Sequence, residues 1–136
     1  MKKIIVATLL SLSTLMGSEY TKEDRIKDMH EMAQAMDSIQ SGFFFNNYDS
    51  VAAGVDKLRN AIVKVQPPVE EVAEKDMLAK YMNQKVQMTD KIVKKINKRS
   101  FTLLERFKGG DSAQALQEYS KIMAQCMTCH REIRNW

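Results

Sequence analysis

Apolar side chains recur at spacings of three and four along much of the chain, which is the period of an α-helix that buries one face. The first such stretch predicts a helix over residues 21–44, with Thr21 as its N-terminal cap. Ser41 and Gly42 weaken the end of this helix, and residues 43–47 lead into a turn. The expected buried stripe consists of Ile26, Met29, Met32, Met36, Ile39 and Phe43.

The same pattern predicts a second and a third helix. Asp49 is the expected cap of the second helix, and the two prolines at 67–68 end it. The third helix is predicted over residues 69–107, where the glycines at 109–110 stop it. The stripe of the second helix is Val51, Val55, Leu58, Ile62 and Val65. One side of the third helix carries Leu78, Met82, Val86, Val93 and Ile96.

A fourth helix is predicted in the last part of the chain. Asp111, with Gln114 three residues later, has the form of a capping box. The expected stripe is Leu116, Tyr119, Met123, Met127, His130 and Ile133. No stretch alternates in the manner of a half-buried strand. Four helices joined by short turns predict an all-α fold, an antiparallel four-helix bundle.

The first 18 residues have the pattern of a secretory signal peptide. Two lysines precede an apolar run over residues 4–15, and the small residues Gly17 and Ser18 follow. The run is shorter than the roughly 20 residues that span a bilayer. We therefore expect cleavage near Gly17 or Ser18, which leaves a domain at 19–136 in the periplasm and no membrane segment. A retained membrane anchor is the alternative.

The charge of the chain adds little to this picture. The formal net charge of the 136 residues is +4, and Lys2 and Lys3 in the predicted signal supply two of these charges. A nearly balanced mature surface argues against a nucleic-acid partner. The lysine-rich stretch from Lys91 to Arg99 is interpreted as the solvent-facing side of the third helix, with docking of an acidic redox partner as the alternative.

The clearest chemical signal is the stretch from Gln125 to His130, which contains both cysteines of the chain. In the pattern C-x-x-C-H, two thiols add across the two vinyl groups of a haem, and the adjacent histidine reaches the iron. Cys126, Cys129 and His130 match that pattern. The sequence therefore predicts covalent attachment of one haem c, with His130 as an axial ligand of the iron.

Other interpretations of the two cysteines stay open at this stage. A thioredoxin-like redox pair normally lies at the start of a helix that follows a strand, whereas these cysteines lie deep in a predicted last helix. A tetrahedral zinc site needs two further ligands, for which only His30 or carboxylates remain. The pattern also arises by chance, since five residues are only moderately specific.

An exported four-helix bundle with this motif in its last helix resembles the class II c-type cytochromes, namely cytochrome c′ and its low-spin, methionine-ligated relatives. The resemblance covers the whole mature chain. It depends on two stretches, CMTCHREIR near the end and RIKDMHEM near the start. In the family's pattern, two residues, an aromatic or apolar residue and then an arginine follow the haem motif. Ile133 and Arg134 keep that order.

The first helix of this family carries an arginine and, four residues later, the side chain that faces the distal side of the iron. Arg25 and Met29 match these positions. A methionine there supplies a sixth ligand, so the resemblance implies iron held by His130 and Met29. From the periodicity alone the assignment is open, because Met32 and Met36 share the stripe and methionines usually fill a core.

Three further polar residues lie near these positions. Arg25 and Arg134 have two interpretations each, and His30 has one. Arg25 is expected either to meet a haem propionate or to lie at a solvated helix start. Arg134 lies one turn past His130 and has either an electrostatic role at the haem edge or a place on the surface. His30 is turned about 100° from Met29 around the helix and is expected to be at least partly exposed.

The resemblance implies a periplasmic electron carrier that exchanges single electrons with redox partner proteins and catalyses no substrate conversion. The alternative is a five-coordinate haem protein of the cytochrome c′ type that binds nitric oxide or carbon monoxide. A third alternative is a haem-free helical protein. Members of the family commonly form homodimers, which the sequence of this chain leaves open.

Overall fold

The computed structural model describes residues 20–65 and 77–134, with the side chains of 77–83 and 134 left outside the description. These residues form four α-helices, and the described ranges contain no strand. The helices are α1 (Lys22–Phe44), α2 (Tyr48–Ile62), α3 (Met77–Lys108) and α4 (Ser112–Arg134). The predicted all-α four-helix fold is thereby confirmed. The predicted signal peptide and the prolines at 67–68 lie outside the described residues.

The start of α1 is fixed by a capping box. The backbone N–H of Asp24 donates to Oγ1 of Thr21 at 3.1 Å, and the Asp24 carboxylate accepts from the backbone N–H of Thr21 at 2.9 Å. The hydrogen bonds from Thr21 hold the pKa of Asp24 below its ordinary value. Each of these two hydrogen bonds satisfies a backbone N–H group at the helix end. Thr21 is thus confirmed as the predicted cap.

The turn between α1 and α2 differs from the prediction. Asn47 caps α2, because its Oδ1 accepts from the backbone N–H of Ser50 at 3.0 Å, and Asp49 already lies inside the helix. Asn46 adopts a positive φ of 48° just before it, a conformation that asparagine tolerates better than most residues. Two asparagines therefore make this turn, and the expected cap at Asp49 was wrong.

The turn between α3 and α4 agrees with the prediction. Gly110 has a φ of 80°, which ends α3 without the strain that a side chain would add. The Asp111 carboxylate then accepts from the backbone N–H of Gln114 at 3.1 Å at the start of α4. The short α1–α2 and α3–α4 turns lie at the same end of the bundle. This end therefore holds the end of α1, the start of α2, the end of α3 and the start of α4.

Consecutive helices pack against one another, α1 on α2, α2 on α3 and α3 on α4. The helices α1 and α2 approach closely at Gly54 of α2, where an added Cβ would lie 2.7 Å from Cγ1 of Ile39 and 2.8 Å from the carbonyl oxygen of Ala35. The stripe predicted for α2 is buried from Val51 to Ile62, with Val65 half-buried. Fully buried side chains of the core include Ile39, Val51, Val55, Leu58, Ile96, Leu103 and Ile122.

The predicted stripes of the other helices were wrong at particular positions. In α4, the buried and half-buried positions that pack on the core are Ala115, Tyr119, Ile122, Cys126, Cys129 and Ile133, so the prediction was right at Tyr119 and Ile133. The other apolar positions of the predicted α4 stripe, Leu116, Met123 and Met127, are about 40% or more exposed. The exposed apolar residues that were expected to be buried are Ile26, Val86, Leu116, Met123 and Met127. Leu78 and Met82 lie outside the described side chains.

The lysines of α3 lie on the solvent-facing side of the helix, as the sequence predicted. Lys91, Lys94, Lys95 and Lys98 are all exposed. They occupy the side of α3 opposite Ile92 and Ile96, which are buried. They therefore form the solvent-facing side of the helix.

Candidate functional site

A cavity of about 330 Å³ lies between the helices, and residues from all four helices line it. Its wall is mainly apolar. The contribution of α1 is Met29, Met32, Ala33, Met36, Asp37 and Gln40. The residues from α4 are Tyr119, Met123, Cys126, Cys129 and His130. Side chains of α3, including Ile92 and Ile96, form the inner wall.

An aromatic contact joins α1, α3 and α4 near one end of the cavity. The ring of Phe43 on α1 packs edge-on against Tyr119 of α4, with centroids 5.9 Å apart, and against Phe107 of α3, with centroids 5.1 Å apart. From this contact the cavity extends toward the start of α1 and the end of α4. Because α1 and α4 run in opposite directions, Met29 and His130 both lie at that other end.

The structure brings the two cysteines and the histidine of the C-x-x-C-H pattern into this cavity. Cys126, Cys129 and His130 are each half-buried and line the cavity together. Neither cysteine forms a disulfide. The short helical spacing of the motif places both thiols on the side of α4 that faces the cavity.

The environment of Cys126 keeps its thiol protonated. Burial raises the pKa of this thiol to about 11, and the neighbouring Cys129 adds to the rise. A thioredoxin-like nucleophile has a lowered pKa at a helix N-terminus. Cys126 lies well inside α4 and its pKa moves in the opposite direction, so the redox-pair interpretation receives no support.

The zinc interpretation also lacks a ligand set in the part of the chain that the structure describes. Within it, no three side chains of His, Cys, Asp or Glu come together as a group that could hold a metal ion. His30, the only other histidine, is exposed, as expected, and does not line the cavity.

Met29 reaches the cavity from α1, where it is half-buried. It shares the wall with Met32 and Met36, which are each 7% exposed. The pair predicted as axial ligands, Met29 and His130, thus lines one cavity from two different helices.

Arg25 is buried, with 5% of its surface exposed, so the interpretation as a solvated helix start was wrong. It is not among the residues that line the cavity. One turn later, Asp28 is equally buried and accepts a hydrogen bond of 2.7 Å from the hydroxyl of Tyr20. The Nζ atom of Lys64 lies 3.9 Å from Oδ1 of Asp28. Arg134 is the last residue of α4, and its side chain lies outside the description.

The sequence alone did not reveal the polar residues at the cavity. Asp37 and Gln40 are exposed at its rim, and Thr89 is buried in its wall. Burial raises the pKa of the Tyr119 hydroxyl, and Asp37 and Cys126 raise it further. Asp37 follows Met29 at helical spacing, so the α1 side of this rim was predictable once Met29 was placed at a site.

No family model, no curated protein and no solved structure matches the chain significantly. The function of the site is therefore inferred from its residues alone. Within residues 20–65 and 77–134, no helix is both long and apolar enough to cross a membrane.

Proposed function

We propose that this chain is a c-type haem protein that carries single electrons in the periplasm. Cys126 and Cys129 would hold one haem covalently, and His130 and Met29 would be the axial ligands of its iron. The observation that carries the proposal is that both cysteines and His130 of α4 line the same apolar cavity as Met29 of α1.

The residues present fit such a group in three respects. The cavity of about 330 Å³ falls within the range of cofactor sites, about 300–1,000 Å³, and its wall is mainly apolar. Neither cysteine is in a disulfide, so both are in the reduced state that covalent attachment requires. The remaining donors, an imidazole and thioethers, are those that bind haem iron in electron-transfer proteins.

Haem iron with a histidine and a methionine ligand changes between Fe(II) and Fe(III), and the methionine favours the reduced state. The protein's own contribution is to hold these donors on rigid helices and to exclude water. Met32, Met36 and Ile96 provide the apolar wall for this purpose. An electron carrier needs no substrate pocket beyond that cavity, so we assign no catalytic residue.

The visible absorption spectrum tests the proposal. The full chain, including residues 1–19, is produced in a host that attaches c-type haem, and its oxidised and reduced spectra are recorded with and without carbon monoxide. We expect haem that stays with the chain on a denaturing gel and a sharp low-spin reduced spectrum that carbon monoxide does not change. The matched control is the double variant Cys126→Ser/Cys129→Ser, which keeps the size of the side chains and removes attachment.

Two other outcomes have definite meanings. A broad high-spin spectrum that shifts with carbon monoxide would replace the electron carrier by a gas-binding haem protein. Haem staining that is absent in both proteins would refute covalent haem attachment altogether. Cleavage near Gly17 or Ser18 and recovery of the mature chain from the periplasmic fraction would test the proposed location separately.

A further inference from the structure

Three methionines of α1 line the same cavity as His130. Met29 is half-buried, and Met32 and Met36 are buried. The donor atom is the same thioether sulfur in each residue. The position of each methionine along and around α1 therefore decides which of them can meet a metal ion held by His130.

The contact between Phe43 and Tyr119 gives the alignment of α1 with α4 along the bundle. The two helices run in opposite directions, so a step toward the start of α1 corresponds to a step toward the end of α4. In every helix the side chains tilt toward the N-terminus. This tilt shifts each α1–α4 residue pair by the same amount, so it does not change which residues are level with each other. Met32 precedes Phe43 by eleven residues and His130 follows Tyr119 by eleven, which places Met32 level with His130.

Met29 and Met32 differ from each other in two ways. Met29 lies about 4.5 Å farther along the helix axis, one turn beyond the level of His130, and the two are turned about 60° apart around α1. Met29 faces the middle of the cavity-lining side, between Ala33 and Met36, whereas Met32 is level with His130 but turned toward the core. A methionine side chain has three rotatable bonds and adapts to offsets of this kind.

Met36 is placed differently. The same alignment puts it level with Cys126, on the other side of the level of His130 and about 6 Å from it along the axis. It is therefore a cavity methionine at the level of covalent attachment, where it fills space. This makes it the natural control for the other two.

We infer that Met32 would be a second thioether ligand for the same iron, which it would bind when Met29 is absent or displaced. This inference rests on the proposed haem function. Its consequence is that loss of Met29 alone does not open the cavity to carbon monoxide, whereas loss of both methionines does.

The test uses the haem-loaded full chain and leucine substitutions, which conserve volume but cannot bind the iron. The variants are Met29→Leu, Met32→Leu, the double variant and Met36→Leu. We expect all three single variants to keep a low-spin reduced spectrum that carbon monoxide does not alter. The double variant is expected to become high-spin and to bind carbon monoxide.

A second readout does not depend on the double variant. The methyl group of an iron-bound methionine in the reduced protein resonates far upfield in the proton NMR spectrum. We expect this resonance to persist in Met29→Leu, at a changed position, and to remain unchanged in Met36→Leu. Its disappearance in Met29→Leu would overturn the inference.

The failures of the two proposals are distinguishable. If Met29→Leu alone is high-spin and binds carbon monoxide, Met29 is the sole ligand, and the inference is wrong while the proposed function stands. If Met32→Leu alone has that effect, Met32 is the primary ligand, and the reserve role is refuted. If the double variant stays low-spin, the sixth ligand is neither residue and both assignments fail. A wild-type chain without attached haem would refute the proposed function itself.

Discussion

Phe43 and Tyr119 meet with their rings nearly perpendicular, at an interplanar angle of 88° and a centroid distance of 5.9 Å, and so join the first helix to the last. Phe43 also meets Phe107 of α3. Tyr119 also lines the cavity, so this contact lies at one end of it and shows which parts of α1 and α4 face each other. The geometry of the candidate site therefore depends on an aromatic cluster at the end of the bundle opposite Met29 and His130.

Substitution of Phe43 by alanine is expected to lower the free energy of unfolding by about 2–3 kcal/mol, because two edge-on aromatic contacts and a half-buried ring are lost. Chemical denaturation monitored by circular dichroism measures this change. The matched control is Phe45→Ala, since that ring is 81% exposed, and its effect should stay within about 0.5 kcal/mol. Equal losses in the two variants would contradict the role of the cluster.

Gly54→Ala is expected to destabilise the fold by about 1–3 kcal/mol, because the new Cβ would overlap Ile39 and the Ala35 carbonyl at the α1–α2 contact. Denaturant midpoints of the variant and the wild type give the difference. Gly109→Ala serves as the control, since its Cβ would have only ordinary contacts of 3.4 Å or more. A neutral effect at Gly54 would mean that the helices separate there at little cost.

The sequence was sufficient to predict the fold, and two physical reasons explain this. Apolar residues at helical spacing predicted four helices, and short-range signals marked their ends, such as Thr21 for α1 and Gly110 for the end of α3. Each of these signals acts within a few residues. Prediction failed at Asp49 because two caps were available nearby and Asn47, which also ends the turn after Asn46, formed the bond.

The face that each helix buries was less predictable, because neighbouring helices decide it. Periodicity finds an apolar stripe, but α4 carries two adjacent ones, and packing on α3 selected the stripe with Ile122 over the stripe with Met123. The burial of Arg25 and Asp28 had no apolar signal at all. Only the motif residues were placed at a site from local spacing alone, because Cys126, Cys129 and His130 are neighbours in the sequence.

The thiol of Cys126 is expected to react slowly in the folded chain. Its pKa of about 11, against the ordinary 9.0, lowers the thiolate fraction about 100-fold near pH 8, and the greater nucleophilicity of a more basic thiolate offsets part of this. We expect alkylation by iodoacetamide at least about tenfold slower than for an unfolded chain. The measurement uses the haem-free Cys129→Ser variant, folded and in denaturant, so that one thiol reports. This substitution also removes the Cys129 contribution, and a rate equal in the two states would show that Cys126 is not buried.

Attachment of haem is expected to raise the stability of the fold strongly. The haem-free chain contains an apolar cavity of about 330 Å³, whose lining includes Met29, Met36 and Ile92. A group that fills this space in the native state and not in the unfolded one stabilises the native state. We expect a gain of about 4 kcal/mol or more, which corresponds to roughly 15 °C in the unfolding midpoint. Thermal unfolding of the haem-loaded chain is compared with that of Cys126→Ser/Cys129→Ser from the same host. Equal midpoints, with haem present in only one protein, would mean that haem does not fill the cavity between α1 and α4.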